Sequence, residues 1–222
     1  FNNFRKKENK MVTKIYDDHV EKSNIFEEGK NHIECIENYA KILQKCGFEI
    51  IDEVKNGKVY SKYQTLDNLN DILCEVILSG KVDDAIKIIQ NWYNYIIKNF
   101  SSIVLENNSI EFDVFKKYGV TVDNSLKQKL TFLKYGFFDI IFENIFAKLD
   151  ENGEFGRLLV YDQEWCEENL PVEFILYRAL SNLIYYNPKI SNIIDIKDIY
   201  CKFNILEFVD CFKELEIKIQ DN

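Results

Sequence analysis

The chain has 222 residues, 46% of them hydrophobic, which is enough for one large domain or two lobes sharing an interface. Its net charge of −9 argues against nucleic-acid binding over the whole surface. With only 2 Pro and 8 Gly, long irregular stretches are not expected, and no apolar run approaches the roughly 18 residues of a membrane span. The six cysteines, at 35, 46, 74, 166, 201 and 211, contain no Cys-x-x-Cys pair and no zinc spacing. Reduced thiols in a cytoplasmic protein are the expectation. No signal peptide is visible. The chain begins at Phe1 and is read as a fragment or a processed form.

In chain order, residues 1–16 are expected to form a β-hairpin. FNNF is one strand, RKKENK the turn and MVTKIY the other strand, with Lys14 on the face of Val12 and Tyr16. Residues 24–45 carry a helix in which Ile33, Ile36, Tyr39, Ala40 and Leu43 recur at three and four, capped by Ser23 or Asn24. His32 on that helix reads as packed or capping. Two strands follow, CGFEIIDEV and GKVYSKYQ, joined at Lys55-Asn56-Gly57, where Asn-Gly accepts the positive φ of a tight turn. From residue 65 the pattern turns helical. Helices are expected over 66–78, ending at Ser79-Gly80, and over 83–100, with Ala85, Ile88, Ile89, Trp92, Ile96 and Phe100 on the core face. Residues 101–125 are less regular, and 126–134 form a short helix or strand.

The stretch from Phe137 to Trp165 organises the rest. Asp139 is followed five residues later by Asn144, and 144–149 reads as a strand. Asp150-Glu151-Asn152-Gly153 makes a turn, and Leu158 to Tyr161 returns, bringing Asp162 back beside Asn144. Two acids and an amide converging on one cleft make a hard-oxygen set of the kind Mg²⁺ prefers. An ordinary hairpin with acidic ends is the bland alternative. After it, Pro171 starts a helix that is almost wholly apolar through Ile184. Arg178 inside it needs a partner, and Glu164 is the expected one. Helices over 196–203 and 205–219 close the chain.

With these residues in place, the chain resembles the kinase-like fold in its aminoglycoside- and choline-phosphotransferase branch. It looks closer still to kinase-like domains found with methyltransferases and glycosyltransferases of bacterial cell-surface polysaccharide assembly. VTK at 12–14, EGKNHI at 28–33, FDIIFENIF at 138–146, YDQEWCEENLPVEFILYRAL at 161–180 and FKELEIKIQ at 212–220 carry the resemblance. It implies an α+β, protein-kinase-like two-lobed fold. Residues 1–64 would be a small, incomplete β-rich N-lobe and 65–222 a mainly helical C-lobe, with the catalytic hairpin at 139–162. It implies Asp139 as catalytic base, Asn144 and Asp162 as Mg²⁺ ligands, Lys14 as the phosphate-gripping lysine and Glu28 as its ion-pair partner, with Glu34 the other candidate on the same helix. The implied activity is ATP-dependent phosphorylation of a hydroxyl, on a sugar or glycan of bacterial surface polysaccharide. A fused or associated methyltransferase or glycosyltransferase would be a partner, and nucleic acid would not. The alternative is a non-catalytic kinase-like module that binds such an enzyme or a glycan.

Overall fold

The computed structural model describes residues 6–105 and 113–220. Its N-terminal part is built on a four-stranded antiparallel sheet of order β1-β2-β5-β4: β1 (Met11–Ile15), β2 (His19–Asn24), β5 (Lys58–Lys62) and β4 (Asp52–Lys55). Helix α1 (Lys30–Lys45) lies on one face of it, where Ile33 and Ile36 are buried with Met11 and Val59. The register pairs Thr13 with Lys22, Lys22 with Val59, and Asp52 with Ser61. Side chains opposite one another share a face, so Lys22 lies on the α1 side together with Met11 and Val59. Lys14 pairs with Glu21 and takes the other face. Asn56 (φ 51°) and Gly57 (φ 70°) are both left-handed and close the β4–β5 turn as expected.

The remaining strands build two further sheets. Strand β3 (Glu49–Ile50) runs parallel to β9 (Phe155–Val160), which pairs antiparallel with β8 (Ile145–Leu149), and β6 (Asp67–Asn68) completes the order β3-β9-β8-β6. Strand β7 (Phe132–Gly136) pairs with β10 (Glu167–Pro171). The helices that follow residue 68 are α2 (Leu69–Leu78), α3 (Val82–Phe100), α4 (Val114–Tyr118), α5 (Asn124–Lys127), α6 (Val172–Tyr186), α7 (Ile196–Lys202) and α8 (Val209–Gln220). A β-rich N-terminal region followed by a mainly helical C-terminal part is the α+β arrangement the sequence predicts. The main core gathers α2, α3, the 137–142 loop, α6 and α8, and Trp92, Phe100, Phe142, Phe174 and Phe212 are fully enclosed in it. All six apolar positions expected on the core face of α3 are buried.

Several expectations need correction. The expected strand FNNF lies outside the described residues; among the described residues β1 pairs with a downstream strand, β2, across the 16–18 turn. The helix expected over 24–45 begins at Lys30, because β2 extends to Asn24. The helix expected from 66 begins at Leu69, since Asp67 and Asn68 bridge to β8 and the Asn68 side chain accepts from the Asn70 N–H as an N-cap. Strand β7 and the short α5 share the 124–136 stretch.

Candidate functional site

The site begins where β7 ends. A Cβ on Gly136 would run into the Leu170 side chain, so the close β7–β10 pairing requires glycine there. The loop that follows is pinned by its own apolar side chains. Phe137 stacks on Phe100 with centroids 6.1 Å apart, Phe138 meets Phe174 edge-on at 6.3 Å, and Phe142 meets Trp92 edge-on at 4.8 Å. With Ile140 and Ile141 also buried, the polar residues of the loop have little freedom left.

Hydrogen bonds then fix the backbone of the loop. The Asp139 carbonyl accepts from Asn144 Nδ2 at 3.0 Å and from Gln163 Nε2 at 2.9 Å. The Phe138 carbonyl accepts from Arg178 Nη1 at 2.6 Å. The same nitrogen reaches Asp139 Oδ1 at 3.1 Å, while Arg178 Nε donates to Glu216 Oε1 at 3.0 Å. Arg178 therefore pairs with Asp139 and Glu216, not with Glu164 as its sequence neighbourhood suggested. The Tyr161 N–H donates to the Asn144 carbonyl at 3.1 Å, which joins the two ends of the hairpin as expected.

Asp162 follows β9 with a left-handed backbone, φ 58°, uncommon for a residue with a side chain. Its N–H donates to Asp52 Oδ2 at 2.6 Å, and Asp52 also accepts from the Ser61 hydroxyl. The Asp162 carboxylate accepts from Lys22 Nζ, and Glu164 Oε1 accepts from the same ammonium at 2.8 Å. One lysine of the N-terminal sheet is thus clasped by two acids 140 and 142 residues downstream. Burial works against charge on Lys22, yet the Asp162 and Glu164 carboxylates outweigh it and hold the ammonium well above its ordinary range. Burial raises Asp162, opposed by Lys22. Burial pushes Asp139 up to about 6; the Arg178 charge opposes this and the charges of Asp162 and Glu164 add to it. Asp139, Asp162 and Glu164 therefore share one electrostatic environment.

Of the residues expected at the site, Asp139, Asn144 and Asp162 are brought together. Lys14 and Glu28 are not. Lys14 is exposed on the outer face of the sheet beside Glu21. Glu28 is exposed in the turn before α1 and, among the described residues, makes no ion pair with either lysine. Lys22, not Lys14, is the sheet lysine that reaches Asp162 and Glu164. The physical reason is one of register: shifting a strand by one residue exchanges its faces, and β2, not β1, is the strand that borders the cleft residues. The acidic turn at Asp17-Asp18 is the signal in the sequence that separates β1 from β2. Glu164, two residues after Asp162, was read only as a partner for Arg178.

The metal-ligating chemistry can be tested on the donor set. Among the described residues no group of three or more His, Cys, Asp or Glu could hold a metal ion alone. Asn144 and Asp162 supply one amide oxygen and one carboxylate, and the Asp162 side chain retains 34% of its accessibility. Such a set suits Mg²⁺ completed by phosphate oxygens and does not suit an all-protein cage.

No family model matches the chain, and no curated protein matches it. Among solved structures it is similar to an ADP-bound aminoglycoside phosphotransferase, APH(2'')-Ib, at 12% sequence identity. The similarity covers 96% of this chain and 92% of that one, with a TM-score of 0.45.

Proposed function

We propose that the chain is an ATP- and Mg²⁺-dependent phosphotransferase that acts on a hydroxyl group. The observation that carries the reading is the clasp of Lys22 by Asp162 and Glu164, in the same electrostatic environment as Asp139. In this reading Lys22 takes the phosphate-gripping role expected of Lys14. Its ammonium, held protonated, attracts phosphate oxygens at the cost of loosening its hold on Asp162, whose carboxylate is then released toward a cation. Mg²⁺, when bound, neutralises phosphate charge. Asn144 and Asp162 are the residues that would hold it. Asp139 accepts the hydrogen bond of the acceptor hydroxyl and takes its proton as the new oxygen–phosphorus bond forms and the bond from the γ-phosphorus to its bridging oxygen breaks, the electron pair leaving with ADP. A carboxyl near 6 is still mostly ionised at neutral pH and suits that role. Catalysis on this reading is positioning and electrostatics, with no covalent intermediate on the chain.

The acceptor we take to be a sugar or glycan hydroxyl of bacterial surface polysaccharide, with a methyltransferase or glycosyltransferase as fused or associated partner. Support for this finer step is the sequence resemblance over 161–180.

The test is calorimetry with Mg·ATP on the full chain. We expect binding by the wild type, loss of about tenfold or more in affinity on Lys22→Met and Asp162→Ala, and a change of less than about twofold on Lys14→Met. Asp139→Asn should lower turnover far more than affinity. A wild type that takes up no Mg·ATP refutes the phosphotransfer reading and favours a non-catalytic module. Equal losses on Lys14→Met and Lys22→Met would refute the assignment of Lys22.

A further inference from the structure

We propose that Arg178, anchored by Glu216 of the C-terminal helix, is the positioning residue of Asp139, so that α8 belongs to the working site and not only to the packing around it. The inference rests on the phosphotransfer reading above.

Arg178 stands in a largely apolar helix, α6. Its neighbours Phe174, Ile175, Leu176, Tyr177, Ala179 and Leu180 are all buried. A cation in such surroundings is costly, and helix packing alone is satisfied as well or better by an apolar side chain of similar volume. What the guanidinium adds is geometry. Nη1 reaches the Phe138 carbonyl at 2.6 Å and Asp139 Oδ1 at 3.1 Å, Nε reaches Glu216 Oε1 at 3.0 Å, and the guanidinium carbon lies 4.9 Å from the centre of the Phe138 ring. Contacts on two edges and one face of a planar group leave it one orientation. That orientation commits one oxygen of Asp139 and leaves Oδ2 without a hydrogen bond among the described residues, available to an acceptor hydroxyl.

The second anchor comes from α8. Phe212 is fully buried there, against Phe174 at 5.6 Å and Phe208 at 5.6 Å, and Leu215 is fully buried as well. Glu216 lies one turn after Phe212 on the same side of the helix. The core therefore sets where Glu216 stands, Glu216 sets the plane of Arg178, and Arg178 sets the carboxylate. Without Arg178, Asp139 would meet the negative charges of Asp162 and Glu164 with no counter-charge on its own side. Without Glu216, the guanidinium keeps its charge but loses one of the two edges that define its plane. A lysine at 178 keeps the charge and lacks the fork.

Two measurements on the full chain test this. The first is the Arg178 Nε–H proton resonance. It should exchange slowly, shift on Asp139→Asn and disappear into fast exchange on Glu216→Leu. The second is phosphate release from Mg·ATP with water as acceptor, alongside Mg·ADP affinity by calorimetry. Glu216→Leu and Arg178→Lys should each lower turnover by about tenfold or more, with Mg·ADP affinity changed by less than about twofold. If Glu216→Leu does not fold, Glu216→Gln carries the same expectation with a smaller loss. A resonance indifferent to both Asp139 and Glu216 overturns the bridge itself. A resonance that responds while turnover does not overturns the positioning role. A wild type with the responsive resonance but neither ADP binding nor phosphate release overturns the role through the failure of the phosphotransfer reading, and the intact resonance tells that failure from the first.

Discussion

Glu143 offers a quantitative test of how the loop between Asp139 and Asn144 is built. Both of its carboxyl oxygens are buried, and neither has a hydrogen-bond partner among the described residues. Its backbone carbonyl, by contrast, accepts from Tyr161 Oη at 2.6 Å and from Asn68 Nδ2 at 2.7 Å, so the residue is held in place while burial of its carboxyl outweighs the opposing Arg178 charge. Burial pushes the carboxyl up to about 7 from an ordinary 4.5. A raised carboxyl favours the fold below the unfolded value, where both states hold the proton. That advantage is lost as pH rises, because between about 4.5 and 7 the unfolded chain releases its proton and the folded chain keeps it. At about 1.36 kcal/mol per pH unit, the ionised form opposes folding by about 3 kcal/mol at pH 8. Glu143→Gln removes the titration. Its amide carries its own desolvation cost of about 1–3 kcal/mol, but that cost does not vary with pH. The quantity to measure is therefore the change with pH of the stability difference between variant and wild type, by urea unfolding without divalent cations. The difference should move by about 2–3 kcal/mol in favour of Glu143→Gln between pH 4.5 and pH 8, about 1 M in urea midpoint. A flat difference across that range would refute the reasoning, because it would mean that the carboxylate finds compensation in the folded chain.

Two further substitutions probe the supports of the site. Trp92→Ala should destabilise by about 3–5 kcal/mol in urea unfolding, since the ring is fully buried and lies against Phe142 of the loop. A loss under about 1 kcal/mol would mean that the loop does not depend on α3. Gly136→Ala should cost about 1–3 kcal/mol, because the added methyl meets the Leu170 side chain across the β7–β10 pair. A loss under about 0.5 kcal/mol would show that the strand pair accommodates the methyl without strain.

The parts of the fold that were legible in the sequence are those written in local periodicity. The six core positions of α3 follow from a spacing of three and four, and the β4–β5 turn follows from Asn56-Gly57. The β8–β9 hairpin follows from alternation on either side of an Asn-Gly turn, and that placed Asp139, Asn144 and Asp162 near one another. What was not legible was written in long-range pairing. Strand β2 carries Glu21 and Lys22 in its middle, and its neighbours Lys58 and Tyr60 offer no apolar face on that side, so no period-two signal marks it. Strand β3 is two residues long and exists through its parallel pairing with β9, more than a hundred residues away. Glu216 is 38 residues from Arg178, and sequence proximity favoured the wrong acid.

The two lysines show how burial changes what a charge needs around it. Lys14 and Lys22 lie on adjacent strands, each beside acids. Lys14 is exposed, so water solvates its charge without the help of a carboxylate. Lys22 keeps only 18% of its side-chain accessibility, so its charge is tolerated because two carboxylates surround it. The costs of this arrangement cluster. Among the described residues four other than glycine adopt positive φ, and three of them are Asn, which accepts that conformation readily; the fourth is Asp162. The buried carboxyl of Glu143, the strained backbone of Asp162 and the buried cation of Arg178 all fall within one loop, the hairpin it opens and the helix behind it. A chain selected only for stability would have replaced each with an apolar residue or glycine. Their concentration around Asp139 is what the proposed phosphotransfer reading expects, because a site's chemistry overrides local rules.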